Sequence, residues 1–391
     1  MAVLFLTVFL DLIGFGIVLP LLPFFASHFG ASGLMVTGLS SVFSFMQFLS
    51  APFWGRLSDR LGRRPVLLCS LAGSTLSYLA LGFCTSFWQI FATRVMAGFF
   101  GANIAVANAY IADITLPENR SRGMGLIGAA FGLGFVLGPG IGACIAHFAE
   151  NPVHPERVYH AIGWVAGAIC GINFLVACFT LVESRPPEKR RHDSIPLKLR
   201  WFLGKRMFSN RTIAFLVALY FVLGFGFSNF ENLFALLIRG KFGYDVKEGN
   251  YFFLFIGLVV ALVQGGLIGR LVKLFGERHL ILFACMLFAA SMILIPWCHY
   301  LWHLLMVLAG LGIGQGLNRS TIMGLISQQV GPEEQGEVMG LAQSAGSLAR
   351  ILGPLVGGLL FDHAGVATPF VAAGLLVVVT LGIGSKFLLE S

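Results

Sequence analysis

Twelve runs of mostly apolar residues, each roughly twenty long, follow one another along this chain, parted by short charged or Gly/Pro-bearing loops. Few folds accept such a pattern. A run of that length crosses the hydrocarbon core as a helix, the one open element that satisfies its own backbone groups in lipid. The runs fall near 2–26, 33–55, 65–85, 88–112, 123–147, 160–182, 212–237, 248–270, 279–298, 301–327, 338–361 and 366–388. Composition agrees, with 57% hydrophobic and 11% charged residues, against about 25% charged in a soluble domain. A water-soluble globule of 391 residues could not hide that much apolar surface. The 49 glycines suit helices that approach closely in lipid. The expected fold class is therefore an all-α membrane protein with twelve transmembrane helices. The first run passes directly into further helix-and-loop pattern, so it is expected to be a span rather than a cleavable signal peptide.

The loops set an orientation. Arg56, Arg60, Arg63, Arg64, Arg120, Arg122, nine basic residues from Arg185 to Arg211, Arg270, Lys273 and Arg278 lie on one side. Only Arg157, Arg239, Lys241 and Lys247 lie on the other. The richer side is expected to be cytoplasmic, with both termini inside, in a plasma membrane such as the bacterial inner membrane. The net charge of +8 is spread over helix ends rather than gathered in a patch, which argues against nucleic acid as a partner. The seven cysteines form no CxxC pair and the histidines sit mostly at loops or helix ends, so no metal is expected. No nucleophile–base pair or Walker loop is apparent, so neither an enzyme nor a cofactor is expected. Protons, membrane lipids and a small-molecule substrate are the expected partners of a monomer.

The chain repeats itself. The segment Gly55–Arg64 aligns with Gly269–Arg278 at an offset of 214, and Pro117, Met124-Gly125 and Gly138-Pro139 align with Pro332, Met339-Gly340 and Gly353-Pro354 at 215. Two pseudo-symmetric six-helix bundles are expected, residues 1–183 and 212–391, with the basic, proline-bearing stretch 184–211 as a cytoplasmic linker on the anionic inner leaflet.

Several segments resemble one family. The loop from Gly55 through Asp59, Arg60, Gly62, Arg63 and Arg64 is similar to the signature between the second and third helices of the major facilitator superfamily. Arg94-Val95-Met96-Ala97-Gly98 resembles its fourth-helix motif, and Gly134-Phe135-Val136-Leu137-Gly138-Pro139-Gly140-Ile141-Gly142 the fifth-helix motif of its antiporters. The run Leu10–Pro23 is similar to the first helix of tetracycline/proton antiporters, while the second half looks closer to animal tetracycline-transporter-like proteins. The resemblance implies a drug/proton antiporter that exports amphipathic small molecules by alternating access. It equally brings in the alternative of an organic anion, a carboxylate metabolite or siderophore. It also implies gating by the loop together with Gly134, Gly138 and Pro139.

Physical reading of the motifs runs alongside. Gly55 and Gly62 are expected to allow a tight turn, Asp59 to accept backbone N–H groups of a helix N-terminus, and Arg64 to pair with Asp113. Lys273 stands where Asp59 stands in the first half, so no equal latch is expected in the second. Inside the spans lie Asp11, Arg94, Glu231, Arg319 and Arg350. A charge at mid-membrane costs at least about 2.5–3.5 kcal/mol on insertion scales, so each needs a partner, water or a task. Asp11 and Glu231 are the expected proton carriers. Arg350, Arg94 and Arg319 are the expected substrate contacts, joined by the polar residues Asn103, Gln264, Gln315 and Asn318, with Gln47 and Asn108 as further cavity liners. A Glu231–Arg350 pair is expected, and an anion displacing Glu231 from Arg350 is expected to set substrate against proton.

Overall fold

The computed structural model describes residues 2–101, 103–114, 120–149, 154, 156–184, 211–329 and 335–389. Among them every regular element is helical. In chain order these are α1 Ala2–Val18, α2 Leu21–His28, α3 Gly33–Leu61, α4 Arg63–Leu81, α5 Phe87–Phe100, α6 Asn103–Ile114, α7 Arg120–Ala149 and α8 Glu156–Thr180. They continue as α9 Arg211–Phe242, α10 Val246–Leu262, α11 Ile268–Phe275, α12 Glu277–Leu294, α13 Leu301–Gln328, α14 Gln335–Ala364 and α15 Thr368–Leu389. A π-helical turn, Val263–Leu267, joins α10 to α11. Nine described helical rods are long and apolar enough to cross a membrane, and the pair α1–α2, bent by 40°, makes a tenth. The shorter α5–α6 pair and α15 fill the two places left, which is consistent with twelve spans. Most of the expected linker, residues 185–210, lies outside the described residues, as do Pro117, Pro332 and Glu333.

Interruptions of the rods have local causes. Pro20 lacks the N–H that would carry α1 onward, so the chain bends there before α2. α5 stops at Phe100 and the carbonyls freed at its end find side-chain donors. Trp54 Nε1 and Ser50 Oγ donate to the Phe99 carbonyl at 2.6 and 3.0 Å, Gln47 Nε2 donates to the Gly101 carbonyl at 2.7 Å, and Ser70 Oγ donates to that of Phe100. Pro52, Pro139 and Pro354 sit inside α3, α7 and α14.

The sequence repeat reappears in backbone geometry and in hydrogen bonding. Gly62 (φ 107°) and Gly276 (φ 74°), 214 residues apart, each make the turn between two helices with a positive φ that favours glycine. Gly101 and Gly316, 215 apart, each offer a backbone carbonyl to a glutamine, Gln47 in one half and Gln264 in the other, although these two glutamines are 217 apart and so lie off the repeat offset.

Contacts cluster into two compact units. The first holds Met1–Ala31, Leu39–Ser194 and Ile238–Leu254; the second holds Ser32–Gly38, Ile195–Leu237 and Phe255–Ser391. In the first, α1 packs on α7 and α8, and α4 on α8 and α5. In the second, α12 packs on α13 and α15.

Candidate transport site and gate

The first unit encloses a charged cluster among apolar helices. Arg94, on α5, is only 1% exposed. Its guanidinium lies 5.6 Å from the Tyr78 ring centre and 5.7 Å from that of Phe43, both within the range at which an aromatic ring attracts a cation. Tyr78 hydrogen-bonds the guanidinium and is within electrostatic reach of Asp11, which also faces Cys170. Arg94 Nε and Nη2 find no hydrogen-bond acceptor among the described residues. A buried guanidinium with donors to spare calls for water or a mobile acceptor. Asn173 Nδ2 donates to the Thr7 carbonyl at 2.8 Å, tying α8 to α1 beside this cluster.

The glycines of the fifth-helix motif bring α7 against α1. A Cβ on Gly138 would stand 2.6 Å from the Gly16 carbonyl carbon, and one on Gly16 would stand 2.7 Å from the Gly134 carbonyl oxygen. Backbone meets backbone here, so no side chain fits. Pro139 follows directly inside α7, where its missing N–H leaves one helix bond open.

The signature loop builds a different network from the one its charges suggest. Arg63, not Arg64, takes Asp113: Arg63 Nε reaches Asp113 Oδ2 at 2.9 Å, Nη2 reaches Asp59 Oδ1 at 2.9 Å and Nη1 donates to Ser58 Oγ at 2.5 Å. The expected Arg64–Asp113 pair is corrected accordingly. Arg64 points to the other side and donates to the Cys178 carbonyl at 2.8 Å. The reason is helical phase. Gly62 ends α3 and restarts the chain as α4, so Arg63 turns inward and Arg64 outward. Gly55 needs correcting too: it lies inside α3 and a Cβ there would meet nothing, so the turn is the work of Gly62 alone. Arg60 is exposed. The N-terminus of α4 has no side-chain cap from Gly62. Glu183 supplies one, its two carboxylate oxygens accepting Arg63 N–H at 2.8 Å and Arg64 N–H at 3.2 Å. Tyr110 donates its hydroxyl to the Val182 carbonyl, and Ser184 Oγ approaches Asp113 at 3.5 Å. Sequence reasoning missed Glu183. Its signal was an acid placed directly after the sixth span, where bases prevail.

The second unit gathers Glu231 on α9, Arg319 on α13 and Arg350 on α14. Glu231 is buried, and both guanidiniums lie within its electrostatic reach. The expected direct pair does not form: Arg350 Nη2 instead donates to Ser347 Oγ at 3.3 Å and interacts with Glu231, Arg319 and Tyr220 through space. Two guanidiniums therefore share one carboxylate. Arg319 is exposed at the surface of the unit. Asn318 Oδ1 accepts the Cys285 thiol at 3.2 Å, while its Nδ2 is buried and finds no acceptor among the described residues. Gln264 donates to Gly316 O at 3.4 Å and Gln315 is half-buried. Asn103 opens α6, but its side chain lies outside the described residues. Among the described residues, no group of three or more metal-ligating side chains gathers.

A polytopic helical protein with an internal repeat, buried charges inside both units and a charged turn between its second and third long helices belongs to the class of membrane transporters. The model of the Major Facilitator Superfamily matches residues 4–348 and 263–391, and the chain belongs to that superfamily. It is a multi-pass membrane transporter and not an enzyme. It is 32% identical over 367 residues to the class C tetracycline resistance protein of Escherichia coli, covering 90% of this chain and 86% of that one. It is 31% identical over 437 residues to Major facilitator superfamily domain-containing protein 10 of Bos taurus, covering 98% and 91%. Among solved structures, the human organic anion transporter MFSD10 (TETRAN) superposes with a TM-score of 0.69 at 28% identity, covering 98% of each chain.

Proposed function

We propose that the chain is a proton-coupled antiporter that exports amphipathic small molecules by alternating access, with Asp11 and Glu231 as the groups that exchange protons for substrate. The observation that carries this reading is the buried Glu231, held within reach of two guanidiniums at once. A carboxylate in that position can trade its partner without the large cost of stranding an ion in oil. The Asp11–Tyr78–Arg94 cluster offers the same trade in the first unit. Relatives that bear the names tetracycline resistance protein and multidrug resistance protein support it. In this reading both termini and the linker are cytoplasmic and the protein works as a monomer.

A second reading has its own observation: Arg350 and Arg319 both lie within electrostatic reach of Glu231 and of each other, so an anion entering beside Glu231 would meet two guanidiniums. The likeness to the human organic anion transporter supports it. The direction of coupling then changes. A cationic substrate competes with protons for a carboxylate, which gives antiport. An anion instead takes the guanidiniums from Glu231 and so favours its protonation, which gives co-transport. The competition expected above for an anion is therefore corrected by the sign of this linkage.

Reconstitution in liposomes with an entrapped pH indicator separates the two. Lipophilic cations that drive protons in the opposite sense, with the flux lost in Glu231→Gln or Asp11→Asn, support antiport. Organic anions that carry protons in the same sense, with the flux lost in Arg350→Ala, support the second reading. No proton movement with either class of substrate refutes proton coupling.

A further inference from the structure

We infer that the π turn Val263–Leu267 is a hinge at which the helix bends, with Gly265, Gly266 and Gly269 supplying the backbone freedom; the inference rests on the alternating-access reading proposed above.

The π turn is one wide turn in an otherwise α-helical rod formed by α10 and α11. It breaks the regular hydrogen-bond ladder, and such turns concentrate where helices bend or work. One side of the rod is anchored. Val263 packs in a buried cluster with Leu280, Ala284 and Leu317, and Ile268, Leu271 and Val272 of α11 lie against the same cluster. The glycine side is open. A Cβ placed on Gly265, Gly266 or Gly269 would meet no atom within 4 Å, and none of the three has a positive φ. Neither packing nor backbone conformation in this state calls for glycine, and alanine is the better helix former. Gly312 and Gly314 of α13 and Gly353 of α14 differ: a Cβ added to any of them would meet a neighbour at 3.0 Å or less. Three glycines in five residues with no present packing need point to a state in which the backbone bends. The side-chain bond that ties the turn to α13, Gln264 Nε2 to Gly316 O, is long at 3.4 Å.

The internal repeat supplies an independent argument. At the offset of 214 that pairs Gly55 with Gly269, Gly266 corresponds to Pro52, and Pro52 lies inside α3. Both copies of the repeat thus weaken the same helix at the same place, one by a missing N–H and the other by a glycine-bearing π turn.

The test labels Leu258→Cys and Phe275→Cys with spin probes in a chain whose native cysteines are replaced by alanine. Both positions are exposed and lie in the second unit; a straight helix sets them about 25 Å apart. In liposomes at acid and neutral pH, with and without a lipophilic cation, the wild-type background should give two distance populations. Gly265→Ala combined with Gly266→Ala should leave one and slow transport by about an order of magnitude. Gly240→Ala, also facing open space, should leave both measurements unchanged. A single distance under every condition overturns the hinge, as does an alanine variant with wild-type distances and rate. Two populations in a protein that exchanges no protons for the lipophilic cation would uphold the hinge while removing the antiport reading.

Discussion

A double-mutant cycle at the gate tests which arginine holds Asp113. In Arg63→Ala combined with Asp113→Ala, the quantity lost is one charge-assisted bond of 2.9 Å. Such a bond contributes about 1.5–3 kcal/mol. The Arg63 side chain is 5% exposed and that of Asp113 is 26% exposed, so partial solvent screening places the coupling at the lower end, about 1.5–2 kcal/mol. That is roughly a 10- to 30-fold change in the unfolding equilibrium. Arg63→Ala alone should cost more, because Ser58 and Asp59 lose the same guanidinium. The Asp59 part is small, about 0.3–0.5 kcal/mol, for an i,i+4 pair whose acid is 38% exposed. The parallel cycle of Arg64→Ala with Asp113→Ala should give a coupling within about 0.5 kcal/mol of zero, as for residues that share no bond. Denaturant titration of the four proteins of each cycle in mixed micelles, followed by far-UV circular dichroism, measures both. Equal couplings, or a larger one for Arg64, would refute the placement of Arg63 at the centre of this network.

Two further outcomes follow from the same structure. Glu183→Ala removes the carboxylate that caps α4 and should cost about 1 kcal/mol in thermal or denaturant unfolding. Glu183→Gln, which keeps an acceptor for one of the two amides, should cost less, and an equal loss for both would point to charge rather than capping. Gly138→Ala forces a methyl group to within 2.6–2.9 Å of the α1 backbone, an overpacking that should cost about 1–3 kcal/mol. Gly132→Ala, on the same helix but facing open space, should be neutral or slightly stabilising, and equal melting temperatures for the two variants would contradict the close α1–α7 contact.

The fold class and the family were legible from the chain because lipid imposes a strict rule on composition: every span must be long, apolar and helical. The repeat was legible for a related reason, since Gly62 and Gly276 occupy the same strained turn and a positive φ tolerates little but glycine. Charges within apolar spans are rare enough to single out Asp11, Arg94, Glu231 and Arg350 as candidates without any coordinates. Partner choice was not legible. Arg63 and Arg64 are adjacent and alike in chemistry, and which one turns inward depends on the phase at which α4 restarts after Gly62. Glu183 finds α4 across 120 residues of chain, and Asn318 spends its amide oxygen on Cys285 rather than on a cavity. Pattern and periodicity assign a side chain to a helix and a depth; the rotation of that helix against its neighbours, set by close packing of many side chains at once, assigns the contact.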